Sequence, residues 1–356
     1  MTSVRVRVPG KILLTGEYAV LDGAPAIVAA VDRFVEAEAA PAYEFQLRGM
    51  GLCWRASGPE VEGLSFARQA LRVVQRYLDG RRRALPPLAF ELRDELRAPD
   101  GQKLGLGGSA CVCVAIVSTA LAVAETLDAG LRTSSRAARR DRIFKLAALA
   151  HGRAQKKLGS GVDVAASTFG GLVSTRRFDM APFVRAFEAP SAEAFAEAID
   201  RSPAHAVEQL PAPGPLLLLF SGKSASTPTH IAAVRQAAEL HPAAWQRFLR
   251  ASADATQCLA QASRERDMAA CLTAIERAAN ALSDFEPLTG IEITTPEHRS
   301  LMSLAQARGV RAKPSGAGGG DCAFAIGTQR QLEALERELT NSGGLCFQVG
   351  ICRESD

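Results

Sequence analysis

The feature that most constrains the fold is an apolar run from Ala110 to Ala124. A helix that crosses a bilayer takes about 20 apolar residues. This run is shorter and contains Ser118 and Thr119, so we predict a buried helix over residues 109–127. With 356 residues, of which 47% are hydrophobic and 22% charged, the chain has enough apolar side chains for about two globular domains.

Hydrophobic periodicity predicts mixed strands and helices in both halves of the chain. Val4 to Val8 alternate with arginines, which predicts a strand that Pro9-Gly10 ends. Further strands are predicted at 11–14, 26–31, 88–92, 216–220 and 346–351, with a strand-turn-strand unit around 315–326. Helical spacing is found at 64–78, 109–127, 139–156, 230–250, 252–282 and 329–339.

Four prolines between Pro203 and Pro215 indicate a boundary between two domains. We therefore predict an N-terminal domain over residues 1–205 and a C-terminal domain over residues 206–356. Because helices alternate with isolated strands, the expected fold class is α+β.

The charge balance argues against large polyanionic partners. Forty-two Lys and Arg against 38 Asp and Glu leave a net charge of +4, too little to favour nucleic acid or an anionic membrane. The basic clusters Arg81–Arg83 and Arg139-Arg140 lack interleaved aromatic residues, which is typical of solvated faces. We expect a cytoplasmic monomer or homodimer that acts on a small molecule, with its eight cysteines reduced because they form no Cys-x-x-Cys pair.

A glycine-rich segment, Lys103 to Ala110, leads directly into the long apolar helix. Glycines bring backbone N–H groups close to an anion, and the positive end of the helix dipole favours phosphate. Ser109 is expected to cap the helix, and Lys103 adds a full charge. The simpler alternative is that this segment only begins a helix. The spacing Gly105-x-Gly107-x-x-Ala110 also matches the glycine motif of dinucleotide-binding folds. However, no strand leads into the loop, and no ribose-binding acid follows the helix.

Two more glycine-rich segments carry charged residues. The segment Lys313 to Asp321 has more glycines than a hairpin turn needs, which favours close approach of the backbone to a ligand. The segment Gly159 to Asp163 ends in a carboxylate that is either functional or the N-cap of a following helix.

Three segments of the chain, taken in sequence order, resemble the motifs of the GHMP kinases, a family of small-molecule kinases. The first motif resembles Pro9 to Leu21, the second Gly105 to Ala110, and the third Lys313 to Asp321. The resemblance implies an N-terminal domain like the second domain of ribosomal protein S5 and a ferredoxin-like C-terminal domain. It also implies ATP with Mg²⁺ between the two domains.

Within the family, the chain most resembles the phosphomevalonate kinase branch, through Gly16 to Leu21, Gly159 to Ala166 and Ser221 to Thr227. The mevalonate kinase pattern has His in place of Tyr18, Asn in place of Val164, and an acidic Mg²⁺ ligand upstream of the catalytic Asp. This chain has no acid between Asp141 and Asp163. The expected reaction is therefore ATP-dependent phosphorylation of phosphomevalonate, with mevalonate kinase, diphosphomevalonate decarboxylase and a non-catalytic binding protein as alternatives.

The resemblance also implies roles for individual residues. Gly108 stands where the family has the first of two serines, so only Ser109 retains the contact with Mg²⁺ and phosphate. The predicted catalytic residues are Lys11, Asp163 and Lys103, and the predicted nucleotide-binding residues are Gly105, Leu106, Gly107, Gly108, Ser109 and Ala110. The predicted substrate-binding residues are Lys11, Tyr18, Ser160, Gly161, Ser224, Ser226, Thr227, Gly318 and Gly319.

Overall fold

The strands divide into two sheets that share one hydrophobic core. The computed structural model describes residues 3–49, 51–98, 101–156, 159–222 and 227–352. In these residues the first half contains β1 (Val4–Thr15), β2 (Ala26–Pro41), β3 (Gln46–Gly49), β4 (Leu52–Arg55), α1 (Ser65–Gly80), β5 (Leu88–Asp94), α2 (Gly108–Leu127), α3 (Arg136–Ala154), α4 (Val162–Phe169), β6 (Leu172–Thr175), α5 (Ala181–Glu188), α6 (Ala192–Arg201) and β7 (Val207–Leu210).

The second half contains a smaller sheet covered by helices. Its elements are β8 (Leu216–Phe220), α7 (Thr227–Leu240), α8 (Pro242–Glu265), α9 (Met268–Phe285), α10 (Pro296–Ala307), β9 (Arg311–Pro314), β10 (Cys322–Ile326), α11 (Gln329–Asn341) and β11 (Cys346–Val349). Both halves mix helices with strands, which confirms the α+β class.

The long strand β2 organises the first sheet. Its beginning pairs with β6 and its end with β5, while β1 lies along its other edge. The order of the remaining strands is β4-β3-β5-β2-β6-β7, and β3 pairs with β5 in parallel. In the second sheet the order is β11-β8-β10-β9, with antiparallel pairs.

The predicted end of the first strand at Pro9-Gly10 is wrong. β1 continues to Thr15, and its register against β2 shifts between Pro9 and Gly10. Proline has no N–H for the ladder, and such a bulge is how a strand accommodates it without stopping. The two strands predicted over residues 4–14 are therefore one, and it carries Lys11.

The apolar run forms α2, as predicted, and the helix lies inside the protein. All its residues from Ala110 to Leu121 are buried, and the helix packs against β1, β2, α1 and α3. Among the described helices it alone has the length and hydropathy of a membrane span. Its burial identifies it as a core helix.

The two long helices predicted over residues 230–282 are three. Pro242 begins α8, since proline is favoured in the first turn of a helix and disfavoured further in. Arg266 ends α8 in the left-handed conformation, and the Asp267 side chain then caps α9 by accepting from the N–H of Ala270. Periodicity alone does not show these breaks, because the apolar spacing continues across them.

The two halves interlock near the predicted division at 205/206. β7 follows this division but pairs with β6 of the first sheet, so the two sheets separate between Leu210 and Leu216. The C-terminal segment returns to the first sheet, where the N–H of Cys352 donates to the carbonyl of Ala30 at 2.9 Å. All eight cysteines lie in the described residues and are free thiols, as expected.

Candidate active site

The glycine loop before α2 lies directly against β1. Gly105 and Gly107 have φ of 72° and 77°, which glycine adopts readily. A Cβ on Gly107 would lie 2.7 Å from Cγ of Lys11, and the N–H of Lys11 donates to the carbonyl of Leu106 at 2.9 Å. The loop therefore needs glycine at position 107 for its contact with Lys11. Leu106 and Ala110, both predicted nucleotide contacts, are buried.

Lys11 is a buried cation paired with a catalytic candidate. It is 7% exposed, and its Nζ lies 3.4 Å from Oδ1 of Asp163, a carboxylate that is 36% exposed. Asp163 is the second residue of α4, whose N-cap is Gly161, so the capping alternative does not hold. Burial opposes the charged ammonium, but the attraction of Asp163 helps to outweigh it and the pKa of Lys11 is raised.

The third motif, Lys313 to Asp321, reaches the same centre through its first and last residues. The N–H of Leu13 donates to Oγ of Ser315 at 3.0 Å, and a Cβ on Gly316 would lie 3.9 Å from Nζ of Lys11. At the other end, the Asp321 side chain lies against Gly105. Three glycine-rich segments therefore surround Lys11: the glycine loop before α2, the segment 159–163 with Asp163, and the segment 313–321.

The middle of the third segment faces elsewhere. A Cβ on Gly318 would lie 2.2 Å from the carbonyl oxygen of Ile293, and the N–H of Gly319 donates to that oxygen at 2.7 Å. Gly319 also packs against the ring of His230. Gly318 and Gly319 therefore pack against Ile293 and His230, and their contact with substrate stays a prediction.

A buried ion pair connects the first and third motifs. Glu17 is 3% exposed and Lys313 is fully buried; their side chains form an ion pair, and Lys313 also donates to the carbonyl of Pro314 at 2.9 Å. Burial raises the pKa of the Glu17 carboxyl, and Lys313 offsets this only in part.

Tyr18, a predicted substrate contact, belongs to the same connection. Its side chain is buried, its backbone has a φ of 57°, and its hydroxyl donates to the carbonyl of Ala317. Its hydroxyl therefore holds the third segment, and a contact of Tyr18 with substrate stays a prediction.

Ser109 does not cap α2 as predicted. The helix begins at Gly108 with Gly107 as its N-cap, and Oγ of Ser109 lies 3.0 Å from Nε2 of His151 on α3. Nε2 of Gln155, which can only donate, lies 3.3 Å from the same ring nitrogen. We therefore assign this nitrogen as the acceptor of a neutral imidazole. Burial lowers the pKa of His151, in agreement with this assignment.

The remaining predicted residues are more scattered. The side chain of Lys103 is exposed, and its backbone forms an isolated antiparallel β-bridge with that of Arg97 just before the glycine loop. Ser160 is half-buried, with its Oγ 3.5 Å from the N–H of Val162, and Thr227 is exposed at the start of α7. Ser224 and Ser226 lie outside the described residues.

Sequence reasoning gave no role to several residues that shape this centre. Glu17, Lys313, Ser315 and Asp321 are part of the recognised motifs but have no predicted role, and for His151 the sequence leaves contact with phosphate and a solvated or capping position at a helix end both open. Their signal was present, because a charged residue beside a run of glycines is placed where backbones approach closely. The partners were not deducible, because they come from distant segments.

This arrangement suits a polyanion that brings its own metal ion. The buried Lys11 and the N-terminus of α2 supply positive potential, and the glycine loop offers backbone N–H groups. Within the described residues no three His, Cys, Asp or Glu side chains form a metal cluster. Mg²⁺ typically takes one or two protein ligands and keeps water and phosphate oxygens, so the hydroxyl of Ser109 fits as a protein ligand for it.

Comparisons with known proteins agree with this geometry. Residues 65–171 match the GHMP kinases N terminal domain, and residues 259–344 match GHMP kinases C terminal. A phosphomevalonate kinase of Streptomyces sp. (strain CL190) is 33% identical over 89% of this chain and 88% of its own. A mevalonate kinase of Pyrococcus furiosus is 25% identical over 97% of this chain and 95% of its own.

The fold is also that of a solved structure. The Streptococcus pneumoniae phosphomevalonate kinase in complex with phosphomevalonate and AMPPNP covers all of this chain with a TM-score of 0.82 and 22% identity, and all of that chain is covered in turn.

The buried pair of Glu17 and Lys313 predicts a non-additive effect on stability. Replacing one partner leaves an unpaired buried charge, so Glu17→Met and Lys313→Met should each lower the free energy of unfolding by about 3–5 kcal/mol. The double variant should recover to within about 1 kcal/mol of wild type, because neither charge remains. Urea unfolding measures all four proteins; a double variant that loses the sum of the two single losses would contradict the pairing.

The neutral state of His151 predicts a pH-dependent contribution to stability. Its pKa in the folded protein is below the ordinary value of about 6.5, so as pH falls below that value the unfolded chain takes up a proton that the native state excludes. The stability advantage of wild type over His151→Gln should therefore shrink between pH 7.5 and pH 5. Urea unfolding at several pH values measures it; a constant difference would show that His151 does not titrate in this way.

Proposed function

The chain belongs to the GHMP kinases, and from that premise we propose that it transfers the γ-phosphoryl group of ATP to phosphomevalonate, forming diphosphomevalonate and ADP. The observation that carries the proposal is the buried Lys11, 3.4 Å from Asp163, at the meeting point of three glycine-rich segments. A relative at 33% identity over most of both chains, the Streptomyces phosphomevalonate kinase, supports the choice of acceptor.

The residues of the centre suit phosphoryl transfer between two anions. This reaction needs positioning and neutralisation of charge more than covalent chemistry. The glycine loop at 105–109 would bind the phosphates of ATP, and Lys11 would face the oxygens of the transferring group. Mg²⁺, when bound beside Ser109, neutralises charge on phosphate oxygens.

Asp163 has an orienting role in this proposal. The second ionisation of a phosphate ester has a pKa of about 6, so the acceptor oxygen of phosphomevalonate is already charged at neutral pH. That oxygen attacks the γ-phosphorus while the bond to ADP breaks, and no proton has to be removed. Asp163 would then hold Lys11 in place.

A hydroxyl acceptor is the second candidate. Relatives such as the Pyrococcus furiosus mevalonate kinase match the full length of the chain at lower identity. With mevalonate as acceptor, a hydroxyl proton must leave, and the half-exposed carboxylate of Asp163 is the available base.

Product analysis separates the candidates. We propose that the protein acts in the cytoplasm, so it is incubated under reducing conditions. Mg²⁺, ATP and one of mevalonate, phosphomevalonate or diphosphomevalonate are added. ³¹P NMR then identifies the products, and released CO₂ is measured. We expect diphosphomevalonate from phosphomevalonate and no turnover of the other two. Turnover of mevalonate alone, CO₂ from diphosphomevalonate, or no reaction with any of them would each overturn the proposal.

Lys103 is the proposed contact of the acceptor's phosphate. A hydrogen bond to a charged group contributes about 1.5–3 kcal/mol, so Lys103→Ala should raise the KM for phosphomevalonate by about tenfold or more and leave the KM for ATP nearly unchanged. Arg48→Ala is a matched control, because Arg48 is an exposed cation on β3, a strand that carries none of the predicted site residues. Steady-state kinetics measures both; an unchanged KM for phosphomevalonate would remove Lys103 from the acceptor site.

A further inference from the structure

Asp321 stands in a backbone conformation that disfavours its own side chain. Its φ is 53°, and it directly follows Gly318, Gly319 and Gly320, which all have positive φ. A non-glycine residue pays for this conformation, although Asp tolerates it better than most. Glycine would be more stable at this position, so the carboxylate is present at a cost to stability.

The strained residue is held between the glycine loop and the second sheet. A Cβ on Gly105 would lie 2.7 Å from Cβ of Asp321 and 3.5 Å from its Oδ2, so the Asp321 side chain lies on the loop itself. Its backbone carbonyl accepts two hydrogen bonds from Ser221, from the N–H at 3.0 Å and from Oγ at 2.9 Å. The backbone of Asp321 is therefore held by Ser221, and its side chain lies against Gly105.

Asp321 and Lys11 contact the same glycine loop two residues apart, Asp321 at Gly105 and Lys11 at Gly107. The charged and titratable groups that act on Lys11 are Asp163 of α4, Asp321, and the Cys322 thiol of β10. Lys11 in turn acts on Glu17 and on His151 of α3. Within the described residues, Asp163 and Asp321 are thus two carboxylates from different halves of the chain that attract the Lys11 ammonium, Asp163 more strongly.

We propose that Asp321 is a positioning residue of the transfer reaction, whose carboxylate holds Lys11 and the loop at 105–109 in the arrangement that transfer requires. The inference rests on the proposed function and adds to it a residue from the third motif. Asp321 acts through Lys11 and the loop, and it touches neither substrate in this proposal.

This role predicts that removing the carboxylate lowers turnover without weakening nucleotide binding. A carboxylate beside a phosphate-binding loop repels the nucleotide, so its removal should leave nucleotide affinity unchanged or slightly tighter. Turnover should fall, because a displacement of the reacting groups by about 1 Å can cost a hundredfold in rate. A residue that only supported the fold would show weaker binding and lower stability together.

The test compares Asp321→Asn, which keeps the shape, with Asp321→Gly, which also relieves the strain. We expect kcat with phosphomevalonate to fall by about ten- to a hundredfold in both variants, and the Kd of AMPPNP with Mg²⁺ to stay within about threefold or tighten. Only Asp321→Gly should gain Tm, by about 1–3 °C. Arg266→Gly is the matched control: Arg266 has a φ of 58° at the exposed end of α8, and its replacement should raise Tm without changing kcat.

Calorimetry, thermal unfolding and steady-state kinetics decide between the outcomes. If the wild type phosphorylates phosphomevalonate and the kcat of Asp321→Asn is within twofold of the wild-type value, the positioning role is overturned and the proposed function stands. A loss of kcat accompanied by weaker nucleotide binding and a lower Tm in both variants would show a structural role instead. A wild type that does not phosphorylate phosphomevalonate would overturn the proposed function, and the positioning role with it.

Discussion

A buried lysine ammonium is stable only beside a negative charge, and the placement of Lys11 depends on this constraint. Its Nζ lies 3.4 Å from Asp163, so the charge that would later meet phosphate is kept inside the protein by a carboxylate. Breaking such a pair leaves an uncompensated buried charge. The site is therefore organised around one cation, and the glycine loop approaches it closely because position 107 leaves no room for a Cβ beside the Lys11 side chain.

The rest of the centre holds these segments in register. The ion pair of Glu17 and Lys313 and the hydrogen bond from Leu13 to Ser315 join the first motif to the third. These contacts join β1 of the first sheet to the loop between β9 and β10 of the second. The described part of the chain thus places positive charge, from Lys11 and the N-terminus of α2, where the first and third motifs meet.

Much of this centre could be predicted from the sequence. The features that the sequence does not predict have physical causes. The buried helix α2 and the grouping of Lys11 with the glycine loop followed from local patterns and from the family resemblance. The role of Ser109 did not, because its partner His151 is on another helix. The surroundings of Gly318 do not follow from the sequence either: sequence shows that a glycine needs space, but not that Ile293 lies beside it. Local rules describe a residue's conformation, while its partner depends on tertiary packing.

The convergence of the three motifs on one pocket can be measured directly by hydrogen–deuterium exchange. With AMPPNP, Mg²⁺ and phosphomevalonate bound, peptides covering residues 9–15, 104–110 and 313–321 should all exchange more slowly than in the free protein. Lys11→Ala should reduce this protection in all three, because the shared cation is gone. Protection confined to residues 104–110, with the other two peptides unchanged, would contradict a single shared pocket.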